Sequence, residues 1–151
     1  MQSELRIATP NDSDRLLELT REFTATQVYP FQEIAARRAL DQLLASPALG
    51  VAWLLEVGGN AAGYVILTLG FSLEYGGRDA FVDELFVRPA FRGRGFGRAA
   101  LSLALEAASQ MGVRAVHLEV ERAIDPARRL YRSLGFEGND RELLTRRLHS
   151  G

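Results

Sequence analysis

The stretch "VRPAFRGRGFGRAA", residues 87–100, decides how this chain is read. Four arginines and three glycines fall between Arg88 and Arg98, with no acid among them. The run before it, "AFVDELFV" (80–87), reads as a strand. The run after it places Phe96, Ala100, Leu103, Ala104, Ala107 and Met111 at helical spacing. A glycine-rich turn entering a helix suits an anion. Free N–H groups face outward and the helix dipole adds positive potential. Glycine lets a ligand approach the backbone without a Cβ in the way. Arginine adds bidentate contacts to phosphate. Pyrophosphate is the ligand this chemistry suggests.

Several readings compete for the stretch. A P-loop needs Gly-x-x-x-x-Gly-Lys-Ser/Thr, and the chain has no lysine. A dinucleotide fingerprint is met literally by Gly95, Gly97 and Ala100, with Glu119 about 20 residues on. Its context is wrong, because "RPAFRGR" separates the strand from those glycines and no repeated βαβ units follow. A plain connector gains nothing from clustered arginines or from glycines, which cost unfolded-state entropy.

Composition narrows the chemistry. The 151 residues suit one domain, 1–151, with its own core. The formal net charge of −1 argues against a nucleic-acid or membrane-surface binder, which makes the arginine cluster a local feature. With no cysteine and no lysine, disulfides, thiolate nucleophiles and Schiff bases are excluded. The two histidines, His117 and His149, do not make a metal site. No apolar run reaches the ~18 residues of a membrane span. "MQSELRIATP" lacks the apolar core of a signal peptide. A cytoplasmic location is the expectation.

Elsewhere "ELRIAT" (4–9) reads as a strand, and Asp12 or Ser13 as the cap of a helix with Leu16, Leu19 and Phe23 on its apolar face. A second helix runs from about Gln32 to Leu44. "VAWLLEV" and "AAGYVILTL" flank Gly-Gly-Asn as a hairpin. "AVHLEV" (115–120) is a strand, "DPARRLYRSLG" a short helix capped by Asp125, and "RELLTRRL" (141–148) a final edge strand. Strand 80–87, helix 95–111 and strand 115–120 form one βαβ unit, so those two strands should lie parallel. The fold class is mixed α/β (α+β).

Taken whole, Arg92-Gly93-Arg94-Gly95-Phe96-Gly97 fits the pattern Gln/Arg-x-x-Gly-x-Gly/Ala after a strand ending in Val-x-Pro. This resembles the acetyl-CoA-binding motif of the GNAT superfamily of N-acetyltransferases. "LRIATPNDSDRLLEL" is similar to that superfamily's first strand and helix. "LEVERAIDPARRLYRSLGF" is similar to its fifth strand and following helix. The resemblance covers most of the chain in order. It implies a mostly antiparallel sheet of six to seven strands, about four flanking helices, and two parallel strands that splay apart.

The resemblance also implies a site. Coenzyme A would lie between the splayed strands, its pantetheine arm on the backbone of Leu85, Phe86 and Val87. Its pyrophosphate would take N–H groups of Arg92, Gly93, Arg94, Gly95, Phe96 and Gly97, with Arg98 at the helix start. Arg92 or Arg94 could reach the adenosine 3′-phosphate, and Arg88 reads equally well as a solvated rim residue. Tyr131, in "RRLYRSLGF", matches a tyrosine placed near the coenzyme sulfur and is the candidate acid. Asp83 stands nine residues before the motif arginine, as in members acting on polyamines or aminoglycosides. Asp83 and Glu84 are the candidate base or amine-binding pair, and strand alternation predicts them on opposite faces. Many members carry Asn where this chain has Ile124.

Glu74, Tyr75, Phe23 and Tyr29 are weaker substrate-side candidates. His117, alone in mid-strand, reads as a structural residue. The implied activity is acetyl-CoA-dependent transfer to a primary amine, a small molecule or peptide, by direct attack in a ternary complex. The alternatives are acetylation of protein N-termini or lysines, and a non-catalytic acyl-CoA sensor. A homodimer is compatible with the family.

Overall fold

The computed structural model describes residues 2–121 and 125–149. In chain order the elements are β1 (Ser3–Ile7), α1 (Ser13–Thr24), α2 (Glu33–Ala45), β2 (Gly50–Val57), β3 (Asn60–Ser72), β4 (Gly77–Val87), α3 (Phe96–Gln110), β5 (Ala115–His117) and α4 (Asp125–Ser133). Single 3-10 turns lie at Pro10–Asp12 and Pro89–Phe91. The chain divides into two compact units, Met1–Glu119 and Val120–Gly151.

The first unit holds the whole sheet, in the order β1-β2-β3-β4-β5. Strands β1 to β4 pair antiparallel, and β4 and β5 pair parallel. That parallel pair is the one the βαβ order predicts. Both faces of the sheet are covered, and β2 shows why the sequence reads as a near-continuous apolar run. Its Ala52 and Leu54 face one way, packing with Leu16, Leu17 and Leu19 of α1 and Leu40 of α2. Trp53, Leu55 and Val57 face the other way, toward Ala100, Ala104 and Ala108 of α3. Each buried leucine contributes about 1.5–3 kcal/mol relative to exposure. The alanines recur every four residues, so α3 lies close on the sheet without bulky side chains between.

Asp12 stands at the start of α1, as expected, but its carboxylate does not cap that helix. It accepts the Thr9 N–H at 2.8 Å and the Arg6 guanidinium at 2.9 Å. This ties β1 to the helix entry and holds the Asp12 carboxyl below its ordinary range.

The expected six to seven strands are five among the described residues. The segment 141–148 carries no strand. "RELLTRRL" sets Leu143 and Leu144 side by side, so no single face collects its apolar residues, and both are exposed. Strand β5 also stops at His117 rather than running to residue 120. The described residues contain no helix long and apolar enough to cross a membrane.

In the second unit, α4 is followed by a turn in which Leu134 and Phe136 donate N–H groups to the Tyr131 carbonyl, at 3.1 and 3.0 Å.

Candidate active site

The arginine-glycine stretch lies between β4 and α3. The 3-10 turn at Pro89–Phe91 reverses the chain, and Gly93 and Gly95 then take φ of 76° and 80°. Only glycine occupies that left-handed region without strain, so the turn dictates both residues. Gly95 stands at the N-cap of α3, where no side chain caps the helix. The first-turn N–H groups therefore face a loop whose residues 92–95 are all exposed. Gly97 passes close to β4, where an added Cβ would meet Val87 Cγ2 at 3.4 Å. Such a cradle has room for a phosphate-bearing group and the partial positive charge to hold one.

The arginines behave differently from one another. Arg88 is drawn into the fold. Its guanidinium bonds Glu22 at 2.7 Å, reaches Glu18 at 3.4 Å and donates to the Ala61 carbonyl at 3.0 Å. It is thus neither a phosphate ligand nor a solvated rim residue here. Arg92 folds back, its Nε donating to the Val87 carbonyl at 2.8 Å with the guanidinium over the Phe86 ring. Arg94 and Arg98 are exposed at the loop and the helix start.

From the loop, β4 runs back with one edge on β3 and the other open. The β4–β5 ladder comprises Asp79↔Ala115, Ala80↔Val116 and Phe81↔His117, and ends there. Val82 to Val87, including Leu85, Phe86 and Val87, have no ladder partner on that side among the described residues. The resemblance implied two parallel strands that splay apart; what the ladder shows is that their pairing ends at Phe81↔His117.

Asp83 and Glu84 lie on this free stretch, and their placement corrects the expectation from alternation. Val82 pairs with Leu67 and Glu84 with Ile66, neighbours on β3, so Asp83 is an extra residue in a β-bulge. Glu84 therefore lies on the same face as Ile66 and Tyr64, the α1–α2 side. The Tyr64 hydroxyl donates to Glu84 Oε1 at 2.7 Å. Burial raises the Glu84 carboxyl above its ordinary range, the Tyr64 bond opposes this, and the Asp83 charge adds to it. Burial raises the Asp83 carboxyl as well. Tyr29, in the segment between α1 and α2, is raised by burial and then by the charges of Glu84 and Asp83.

The other weak candidates separate. Phe23 packs edge-on against Tyr64 and Phe86, with centroids 6.4 and 6.0 Å apart, as part of the core. Glu74 lies exposed in the β3–β4 connection. Tyr75, beside it, stacks on His117 at 5.1 Å.

In the second unit, Tyr131 of α4 is half-buried, with its ring edge-on to Phe136 at 6.1 Å. Burial raises its phenol above the ordinary value, which keeps the proton on. Ile124 lies outside the described residues.

Two polar contacts were missed from sequence, Tyr64 with Glu84 and Asp79 with His117. Their partners are 20 and 38 residues apart, and only the strand register brings them together. The one sequence signal was an acid at each strand position.

A glycine-rich turn at a helix N-terminus without a side-chain cap, beside a strand edge unpaired beyond Phe81, sits on a mixed α/β fold. The model of the acetyltransferase (GNAT) family matches residues 15–136, and the chain belongs to that family. It is similar to an uncharacterized N-acetyltransferase of Methanocaldococcus jannaschii, 37% identical over 86 residues covering 56% of this chain and 38% of that protein. The chain thus spans about two fifths of the length of the curated relatives it matches. Among solved structures it resembles an integron cassette protein from the mobile metagenome of Cole Harbour Salt Marsh, at 39% identity and TM-score 0.87, over 97% of this chain and 91% of that one. It also shares its fold with a "predicted acetyltransferase" of Clostridium acetobutylicum solved with acetyl-CoA, at 18% identity and TM-score 0.79, over 96% of each chain.

Proposed function

We propose that this chain is an acetyl-CoA-dependent N-acetyltransferase that acylates a primary amine, a small cationic one, by direct attack in a ternary complex. The observation that carries this is the pair Asp83 and Glu84, an exposed and a half-buried carboxyl set in a bulge on the free edge of β4 that leads to the loop. Family membership and the acetyl-CoA complex of the Clostridium acetobutylicum protein support the donor.

Acetyl-CoA supplies an acetyl group on a thioester. Its diphosphate fits the N–H groups from Arg92 to Gly97, with Arg94 and Arg98 beside them and Arg92 free to exchange its Val87 bond for a phosphate. The open backbone of Leu85, Phe86 and Val87 has donors and acceptors for an amide-bearing arm. Asp83 and Glu84 are the amine-binding or proton-accepting pair, and their raised affinity for protons suits either role. Tyr131 is proposed as the acid for the leaving thiolate on its sequence context, and its raised phenol is protonated when needed.

Thermal-shift titration with acetyl-CoA, NADH and ATP in parallel tests the donor. Binding to the native state raises the midpoint. A shift with NADH and none with acetyl-CoA defeats the reading. Thiol release across a panel of amines then tests the acceptor, and a panel in which only peptides react removes the small-amine part.

A further inference from the structure

The last rung of the parallel ladder carries a side-chain arrangement that the proposed function does not use. His117 Nε2 lies 3.0 Å from Asp79 Oδ2. The imidazole is flanked by the rings of Tyr75 at 5.1 Å and Phe81 at 5.0 Å. Three strands build this unit. Gly70 on β3 pairs with Asp79, and a Cβ there would come within 2.9 Å of Asp79 Oδ1, so glycine makes the space the carboxylate occupies. Asp79 comes from β4 and His117 from β5. The side chains are half-closed to solvent, 26% exposed for His117 and 13% for Asp79.

The geometry settles the imidazole's chemistry. A carboxylate oxygen accepts, so in the neutral imidazole Nε2 carries the hydrogen and Nδ1 the lone pair. Among the described residues Nδ1 has no hydrogen-bond partner. The surrounding charged and titratable groups are Asp79 on β4, Tyr75 in the hairpin, and Arg114, whose Nε donates to the Tyr75 carbonyl. The position matters equally. Phe81↔His117 is the final pair before the strands part, and Asp83 lies two residues, about 7 Å, farther along β4. Phe81 pairs with Thr68 and Glu84 with Ile66, positions of the same parity on β3, so His117, Phe81 and Glu84 share one face. The free edge of β4 thus begins one residue beyond the rung that carries this imidazole.

We propose that His117, oriented by Asp79, is the group that takes the proton from the acceptor ammonium, while Asp83 and Glu84 hold that ammonium in place. This rests on the acetyltransferase reading above. The ammonium N–H bond breaks, its proton goes to His117 Nδ1, and the imidazolium is stabilised by the Asp79 carboxylate. The freed amine lone pair forms the C–N bond as the thioester C–S bond breaks. The attacking nitrogen sheds a second proton, which ends on the thiolate, and the imidazolium returns its proton to solvent. Asp79 is a positioning residue, and the Tyr75 and Phe81 rings restrict how the imidazole can turn.

The test combines kinetics with imidazole NMR, where the chain's two histidines give two signals and His117→Gln identifies one. For an amine the wild type acetylates, His117→Gln lowers kcat about 100-fold and removes one limb of its pH profile, with acetyl-CoA affinity unchanged. Asp79→Asn lowers kcat with little change in KM, because the imidazole loses its orienting partner. Imidazole added to His117→Ala restores turnover, which a purely structural role would not do. A His117→Gln enzyme within threefold of wild type, with the same pH profile, overturns the proposal. If no amine is acetylated, the acetyltransferase reading fails, and NMR still decides the placement. Saturating coenzyme A should move the His117 signal. If the Gly93 and Gly95 amides shift while His117 does not, the assignment is wrong.

Discussion

The hydroxyl of Tyr64, a fully buried ring on β3, donates to Glu84 Oε1 on β4 at 2.7 Å. The bond favours the ionised carboxylate, against the burial that disfavours it. Tyr64→Phe removes that support. The Glu84 carboxyl should rise further, and the KM for a cationic amine should increase as the pH is lowered. Losing one partnered bond should cost about 1 kcal/mol in urea unfolding.

The two bulge acids should weaken the fold where they function. Their folded-state pKa values are raised, so the stability linked to them is complete below the ordinary carboxyl range. It is lost as pH rises through the folded values. Glu84→Gln, and to a smaller degree Asp83→Asn because that side chain is exposed, should therefore melt higher than wild type at pH 7, with the difference closing by about pH 4. Both should be slower enzymes. Calorimetry at the two pH values is the check, and lower melting of both variants at pH 7 would contradict the buried-acid picture.

Asp12 gives the opposite sign. Its carboxyl is lowered by Arg6, so its contribution is present above the ordinary carboxyl range and lost as pH falls through the folded value. Asp12→Asn should melt lower than wild type at neutral pH and converge with it in acid.

Gly95→Ala forces a Cβ into φ of 80°. The strain is about 1–2 kcal/mol, visible as a lower melting temperature. Because the same residue shapes the cradle, acetyl-CoA affinity should fall more than tenfold, read by calorimetric titration. Arg94→Gln should weaken binding without affecting stability, since the side chain is exposed. It should also flatten the salt dependence of binding.

Tyr131→Phe should cut turnover about 100-fold and leave acetyl-CoA affinity unchanged. Unchanged turnover would remove Tyr131 from the chemistry and leave the acid unassigned.

The glycine turn entering α3 could be read from sequence because its causes are local. Glycines at required left-handed positions, an apolar helix behind and a strand before all lie within 87–111. The parallel pairing of β4 and β5 followed from chain order alone. The bulge at Asp83 could not be read that way. "FVDELFV" satisfies alternation with either acid inward, and only the β3 register shows which residue is extra. Sequence leaves Arg88 as a solvated rim residue at least as readily as a ligand, because its partners Glu18 and Glu22 stand 70 and 66 residues away. The strand expected at 141–148 illustrates the converse. Residues with strand-like composition form a strand only where an open edge accepts them at a register that buries one face.

The bulge makes Asp83 the one residue of β4 that counts twice. Before it, odd-numbered residues such as Asp79 and Phe81 face α1 and α2; after it, even-numbered ones such as Glu84 and Phe86 do. Deleting Asp83 would join Val82 to Glu84 opposite the neighbours Leu67 and Ile66, leaving every other side chain of the strand on its present face. The sheet needs no residue at that position. Packing alone would have tolerated a shorter chain, so the reason for a carboxylate there must be sought in what the protein handles.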